Sequence, residues 1–269
     1  SQLPICTNAR IKRGLASKDI DQEVKSLLSS ALSIYEVDLE KLKALKPDII
    51  ITQDQCKVCA VSESDLRYAL KDWVNHDVTI VSQKAKGFDD FWLDVENIAN
   101  VLNVSQKGKN LINQMKFKIS QIREKIPLDQ KKKRVAMIEW VDPLMAAGNW
   151  IPKIINLAGG LNIFGKENER SPYIKFGQLV DEQPEVIVIA PCGFNINRTK
   201  RDVKILEKKS KWSSIEAVQK KAVFIIDGNQ YLNRPGPRLL DSIRILSEIL
   251  HPEVFKPTYH GTGWISYYV

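Results

Sequence analysis

Three cysteines have the spacing and neighbours of chemistry. Cys56 and Cys59 form a C-x-x-C pair between an expected strand and an expected helix, and Cys192 follows another expected strand. A thiol pair at a helix N-terminus suits thioredoxin-like redox work, because the helix end lowers thiol pKa. Here Ala60-Val61-Ser62 intervenes before the expected cap, which weakens that advantage. A zinc centre needs about four ligands, and the chain has neither a second C-x-x-C nor a nearby histidine pair. A local disulfide, or two half-buried thiols, is the third reading. If both cysteine loops face one cleft, Cys56, Cys59 and Cys192 bring three soft sulfurs together, a set that can coordinate a thiophilic metal.

A second group of residues could hold a ligand without reacting with it. Trp140, Trp150, Phe194 and Tyr231 fall on or beside loops at the carboxyl ends of expected strands. Aromatic rings there offer large, rigid, flat surfaces to a flat partner; ordinary packing of loop against lobe is the plainer use. The loop from Asp227 to Arg238 is the most constrained in the chain, with Asn229, Arg234, two prolines and two glycines. It opens a helix whose N-terminus can receive an anion, and Arg234 offers a fork of donors to amide or carboxylate oxygens. Glu139 and Asp142 flank Trp140, but a pair so close around one aromatic is weak equipment for acid-base work. No Ser-His-Asp set, phosphate loop or dinucleotide fingerprint is present, and the three histidines lie outside these loops. The pattern implies binding without turnover.

These residues need elements to hold them. The stretch from Leu42 to Ile51 runs on to Cys56, and the stretch from Leu179 to Ile189 runs on to Cys192. Each reads as a short helix, a Pro-acid turn, a buried β-branched strand and a loop carrying cysteine. An unbroken apolar strand after a helix marks a parallel sheet covered on both faces, and such sheets bind ligands outside the carboxyl ends of their strands. Strands are expected over 48–52, 78–81, 134–140, 185–190 and 222–226. Helices are expected after a Ser17 or Asp19 cap and near 39–45, after Ser62 or Ser64, and over 151–158, 176–182, 199–209, 212–218 and 238–250, with Gly159-Gly160 stopping one of them. Residues 88–126 carry helical periodicity almost throughout, with a break expected within 103–108. The expectation is an α/β protein of two Rossmann-like lobes: an N-terminal lobe over 1–86, a connecting helix over 87–127 and a C-terminal lobe over 128–269.

Composition bounds the rest. With 269 residues, 43% hydrophobic and 27% charged, the chain suits two ordinary globular lobes. No apolar run reaches the roughly 18 residues of a membrane span, and Ser1 to Arg10 lacks the apolar core of a signal peptide. The net charge of +8 comes from 40 Lys and Arg against 32 Asp and Glu. Its excess is spread along solvated helix faces, so no nucleic-acid partner is expected. Four cysteines are too few for a disulfide scaffold in a chain of this size.

Taken together the motifs resemble a known family. The sequence from Leu45 to Asp54 with Cys56-x-x-Cys59, Glu139-Trp140-x-Asp142-Pro143, Ala147-Gly148-x-Trp150, Ala158-Gly159-Gly160, Ala190-Pro191-Cys192-Gly193-Phe194, and Asp227-Gly228-Asn229 through Arg238 is similar to the cobalamin-binding branch of the periplasmic binding proteins. These proteins serve cobalamin and ferric-siderophore ABC importers. The resemblance implies two α/β lobes joined by one long helix, class III in type, with a ligand cleft between them. Against that pattern the first strand-helix-strand unit is expected to be missing. It implies no enzyme and no required cofactor, but a corrinoid such as cobalamin as ligand, held by Trp140, Trp150, Phe194, Asn229, Tyr231 and Arg234, with Cys56, Cys59 and Cys192 at the same cleft. The cobalt of a corrinoid is then one metal those sulfurs could meet. Haem or a ferric siderophore is the alternative ligand; a thiol-dependent metallochaperone or redox enzyme is the alternative of another class. The partner is an ABC permease, met through an acidic residue on each lobe: Glu63 on the first, Glu207 or Glu216 on the second. The protein is expected to be an extracytoplasmic or periplasmic monomer that reaches the membrane only through the permease.

Overall fold

The computed structural model describes residues 3–12, 14–30, 34–54, 63–70, 78–127 and 129–268. The chain divides into two units, one of Ser1–Ala85 with Trp92–Gly108, the other of Lys86–Phe91 with Lys109–Val269.

In the first unit, strand β1 (Thr7–Ala9) pairs antiparallel with β2 (Tyr35–Val37), and α1 (Ser17–Ser29) separates them in sequence. The residue before α1 is Ala16, in extended conformation and with no side-chain cap. Ser17 is therefore the first helical residue rather than the cap, and it is buried. Helix α2 (Leu39–Leu45) is capped by Asp38, whose carboxylate accepts from the Lys41 N–H at 3.0 Å. Lys46 then turns left-handed with φ 46°, Pro47 follows, and β3 (Ile49–Gln53) runs parallel to β4 (Thr79–Gln83). Between those strands lies α3 (Glu63–Ala69), with Leu66 buried. Asp94 is buried on α4 (Asp90–Val101) and accepts from the Lys84 and Ala85 N–H groups at 3.3 and 3.2 Å, fixing the exit from β4.

The periodic stretch 88–126 forms two helices, α4 and α5 (Ser105–Lys125). The break falls at Asn103, whose φ of 55° ends a helix as asparagine tolerates better than most residues. Along α5, Ile112, Met115, Ile119 and Ile122 are buried at steps of three and four, one stripe of a helical face.

The second unit is built on a six-stranded sheet. Its strands are β5 (Arg134–Trp140), β6 (Met145–Ala146), β7 (Leu161–Asn162), β8 (Val186–Ile189), β9 (Val223–Ile226) and β10 (Trp264–Ser266), in the order β10-β9-β8-β5-β6 with β7 beside β5. β5, β8 and β9 are parallel neighbours; β6 and β10 are antiparallel edges. Val135 to Ile138 and Val186 to Ile189 are buried without interruption, as strands covered on both faces must be. The cover consists of α6 (Ile151–Leu157), α7 (Phe176–Asp181), α8 (Ile196–Glu207), α9 (Glu216–Gln219) and α10 (Leu239–Leu250). The core gathers Leu179, Val203, Leu206, Trp212 and Ile215 against the sheet. The second repeat uses the backbone of the first: Gln183 is left-handed with φ 41° and precedes Pro184, as Lys46 precedes Pro47. Gln183 offsets its strain by donating to the Val180 carbonyl at 2.7 Å and accepting from the Glu216 N–H at 2.9 Å.

Candidate functional site

Because β5, β8 and β9 run parallel, the segments that follow them emerge at one end of the second unit's sheet. Main-chain bonds stitch these segments together. The Cys192 N–H donates to the Glu139 carbonyl at 3.4 Å, Gly193 N–H to the Gly228 carbonyl at 3.4 Å, and Asn229 N–H to the Phe194 carbonyl at 3.1 Å. The Asn233 amide donates to both the Ala190 and Gly228 carbonyls at 3.0 Å. Asp227 is buried, and its carboxylate accepts from the Asn229 and Gln230 N–H groups at 3.0 Å, an Asx turn that shapes the start of the third loop. At Gly228 an added Cβ would lie 2.2 Å from the Pro191 carbonyl oxygen, so glycine is what lets the second and third loops touch. The result is a pre-formed face, stiffened before any ligand arrives.

On this face Trp140 and Phe194 meet, ring centroids 5.1 Å apart and tilted by 44°. The Trp140 indole N–H donates to the Asp142 carbonyl at 3.1 Å. On Phe194 the Arg198 guanidinium lies 4.7 Å from the ring centroid, and Arg198 pairs with buried Asp202 at 3.6 Å. Phe194 thus meets both a tryptophan ring and an arginine. Trp150 is only 4% exposed and donates its N–H to the Leu232 carbonyl at 2.6 Å, so it props the third loop from beneath. Tyr231 is half-buried and turns toward Tyr259, centroids 6.0 Å apart. Burial, then the charge of Asp241, pushes its phenol above the ordinary tyrosine range. Asn229 and Arg234 are exposed on the same loop, and Cys192 is exposed beside Phe194. Cys56 and Cys59 lie outside the described residues. Among the described residues, no cluster of three His, Cys, Asp or Glu side chains is arranged to hold a metal ion.

The expected docking carboxylates are placed as follows. Glu63 opens α3 in the first unit; Arg67 bonds its carboxylate at 2.8 and 2.9 Å, and Lys84 lies 3.9 Å away. The hydrogen bond from Arg67 holds its pKa below the usual carboxylate range. Glu207 ends α8 and hydrogen-bonds Tyr267, whose N–H donates to the Val223 carbonyl at the start of β9. Glu216 opens α9, just before β9, and pairs with Lys220 at 2.5 Å. Both therefore sit at the amino end of the sheet, opposite the stitched loops.

Several residues of this face carry no signal of their own in the sequence. Ser171 donates to the Glu139 carboxylate at 2.6 Å across 32 positions, and the Asn233 amide reaches the Ala190 carbonyl across 43. The Asp227-Gly228-Asn229 run was the readable part, since Asx-turn residues announce their own bonding.

Residues 12–230 match the family model described as periplasmic binding protein. The chain belongs to that family. Its members are transport components rather than enzymes. YvrC of Bacillus subtilis strain 168, an ABC transporter substrate-binding lipoprotein, is 25% identical over 224 residues, 82% of this chain and 67% of the relative. A vitamin B12-binding protein of Vibrio cholerae serotype O1 is 22% identical over 209 residues, covering 77% of this chain and 69% of that one. A periplasmic heme-binding protein of Pseudomonas aeruginosa has a solved structure that aligns with a TM-score of 0.66 at 18% identity, covering 81% of this chain and 77% of that one. The shared architecture is the α/β fold of class III periplasmic binding proteins.

Proposed function

We propose that this periplasmic binding protein is the substrate-binding component of an ABC importer and that it carries cobalamin or a related corrinoid. The observation that carries the reading is the Trp140–Phe194 pair on the stitched loops, a broad aromatic surface with exposed hydrogen-bonding groups beside it on Asn229 and Arg234. A flat macrocycle edged with amides uses such a surface: the rings take its apolar area and the loop donors meet its carbonyl oxygens. The B12-binding relative supports this ligand class. Trp150 and Tyr231 contribute by holding the third loop in place, and Cys192, exposed beside Phe194, is a soft sulfur that could meet the metal of such a ligand. Haem is the second reading, supported by the heme-binding neighbour of the same fold.

Work outside the cytoplasm and delivery to a membrane permease follow from the same reading, which the lipoprotein relative supports. No described helix is long and apolar enough to cross a membrane. Glu63 is the proposed docking carboxylate of the first unit, with Glu207 and Glu216 the candidates of the second. Incubating the purified protein with cyanocobalamin, dicyanocobinamide, hemin and a ferric siderophore, and recording visible spectra with affinities, tests the reading. Corrinoid binding in the micromolar range or tighter is the expected result; a protein that takes only the siderophore would overturn it.

A further inference from the structure

Within the second unit, a recess of about 360 Å³ opens between α5, α10 and the tail residue Tyr259. Its size falls at the small end of the roughly 300–1,000 Å³ range of small-molecule sites. From α5 it is lined by Lys118, Ile122 and Lys125, whose steps of four and three put them on one helical face. From α10 it is lined by Leu240, Asp241 and Arg244. The Tyr259 ring meets Tyr231 of the third loop, centroids 6.0 Å apart, so the recess lies behind that loop rather than among the residues of the stitched face.

Charge around this recess is unbalanced. Arg244 is matched: its Nε donates to buried Glu248 at 3.4 Å, and its guanidinium lies 4.9 Å from the Phe255 ring centroid. Those two contacts hold the side chain in place, and a guanidinium has further N–H donors to offer. Asp241 accepts from the Tyr259 phenol at 2.7 Å. Lys118 and Lys125 are exposed and have no carboxylate partner among the described residues. The α5 dipole accounts for a cation at Lys125, in the last turn, but not at Lys118 two turns earlier. At roughly 1.5 Å of rise per residue the two positions stand about 10 Å apart along the helix, so they bracket the recess instead of crowding one point. Two unmatched cations therefore face a single carboxylate, a field that draws anions in.

From this geometry we propose that the recess between α5 and α10 is an anion site that takes a phosphate ester of a small polyol. Lys118, Lys125 and the remaining donors of Arg244 supply charge-assisted bonds to the phosphate oxygens. A bare inorganic anion would meet the Asp241 carboxylate as a like charge; a polyol ester offers that carboxylate hydroxyl donors instead. Ile122 and Leu240 give the carbons of the ester an apolar wall. A free ester such as glycerol 3-phosphate presents this chemistry, and so does the headgroup of phosphatidylglycerol. The site is independent of which ligand the stitched loops carry.

The test titrates the full chain with glycerol 3-phosphate and with inorganic phosphate by calorimetry, and measures its retention on vesicles of phosphatidylglycerol against phosphatidylcholine. Wild type is compared with Lys118→Gln and Lys125→Gln, both exposed positions whose exchange leaves the core untouched. Lys209→Gln, at an exposed lysine just past α8, removes the same charge elsewhere. Saturable binding of glycerol 3-phosphate with a dissociation constant of about 1 mM or tighter assigns a free ester; retention on phosphatidylglycerol vesicles alone assigns the lipid headgroup. In either case K118Q and K125Q should each weaken the interaction about tenfold, the worth of one charge-assisted hydrogen bond, and K209Q should leave it unchanged. An equal loss in K209Q, equal retention on both kinds of vesicle, inorganic phosphate bound as tightly as the ester, or no binding of any probe overturns the proposal.

Discussion

At the scale of residues, two tryptophans that look alike in the sequence have different work. Trp140 lies on the surface of the stitched loops against Phe194, whereas Trp150 is buried with its N–H committed to the Leu232 carbonyl. Replacing Trp140 by Ala should therefore weaken corrinoid binding by about 1–3 kcal/mol, the range of aromatic anchors, with stability little changed. Calorimetric titration checks this, and an unaltered affinity would remove Trp140 from the site. Trp150→Phe keeps the ring but leaves a buried carbonyl without its donor, so unfolding free energy should drop by about 1–2 kcal/mol in a urea titration. The positions of both residues after strand ends were readable; which one faces outward was not. That choice depends on Leu232, 82 positions away.

At the scale of elements, the informative case is α10 and the tail that folds back on it. Glu248 is buried at 1% exposure, and its carboxylate accepts from the N–H groups of Thr258 at 3.0 Å and Tyr259 at 3.1 Å, from the Thr258 hydroxyl and from the Trp264 indole at 2.9 Å. Arg244, one turn earlier on the helix, supplies the countercharge at 3.4 Å. One side chain thus ties the tail that forms β10 to the helix behind the sheet. Glu248→Ala strands several buried donors and should cost roughly 3–5 kcal/mol of stability, as breaking buried charged networks does. A denaturant midpoint within error of wild type would show that the tail is held by packing alone. At the same C-terminal end of α10, the cap residue His251 faces Gly159, which has φ 83° and whose missing Cβ would lie 2.4 Å from His251 Nε2. Gly159→Ala should destabilise by about 2 kcal/mol or more, combining a left-handed alanine with a clash, measurable as a lowered Tm. The sequence marked Gly159-Gly160 as a helix stop; the histidine it makes room for is visible only once α6 and α10 pack.

At the scale of the whole molecule, pH dependence follows from that histidine. His251 is buried, and burial depresses its pKa below the ordinary histidine value, with Lys133 adding to the effect and Glu253 opposing it. In the unfolded chain the imidazole regains a proton near pH 6.5. Between that value and the lower folded one, the unfolded state binds more protons, so stability rises with pH and is lost as pH falls through the window. Unfolding free energy measured by urea should thus decline from pH 7.5 to pH 5, and His251→Gln should flatten that part of the curve. An equal slope in the variant would assign the acid sensitivity to carboxylates instead.

The helix, Pro-acid turn and apolar strand of both repeats were legible from residue order alone, but only β8 is buried throughout as an unbroken apolar run requires; β3 is half-buried, with Ile51 exposed. The same logic made β5, β8 and β9 readable to within a residue or two of their observed ends. Strands β1, β2 and β10 were not readable. Each is three residues long, β1 is exposed throughout, and pairing with a distant partner rather than local pattern makes it a strand. The resemblance to periplasmic binding proteins likewise needed only motifs. What tertiary structure decided was the bonding between loops: Ser171 to Glu139 and Asn233 to Ala190. Hydrogen bonds between loops depend on where strand ends are brought side by side, and that placement is a property of the folded sheet rather than of any stretch of chain.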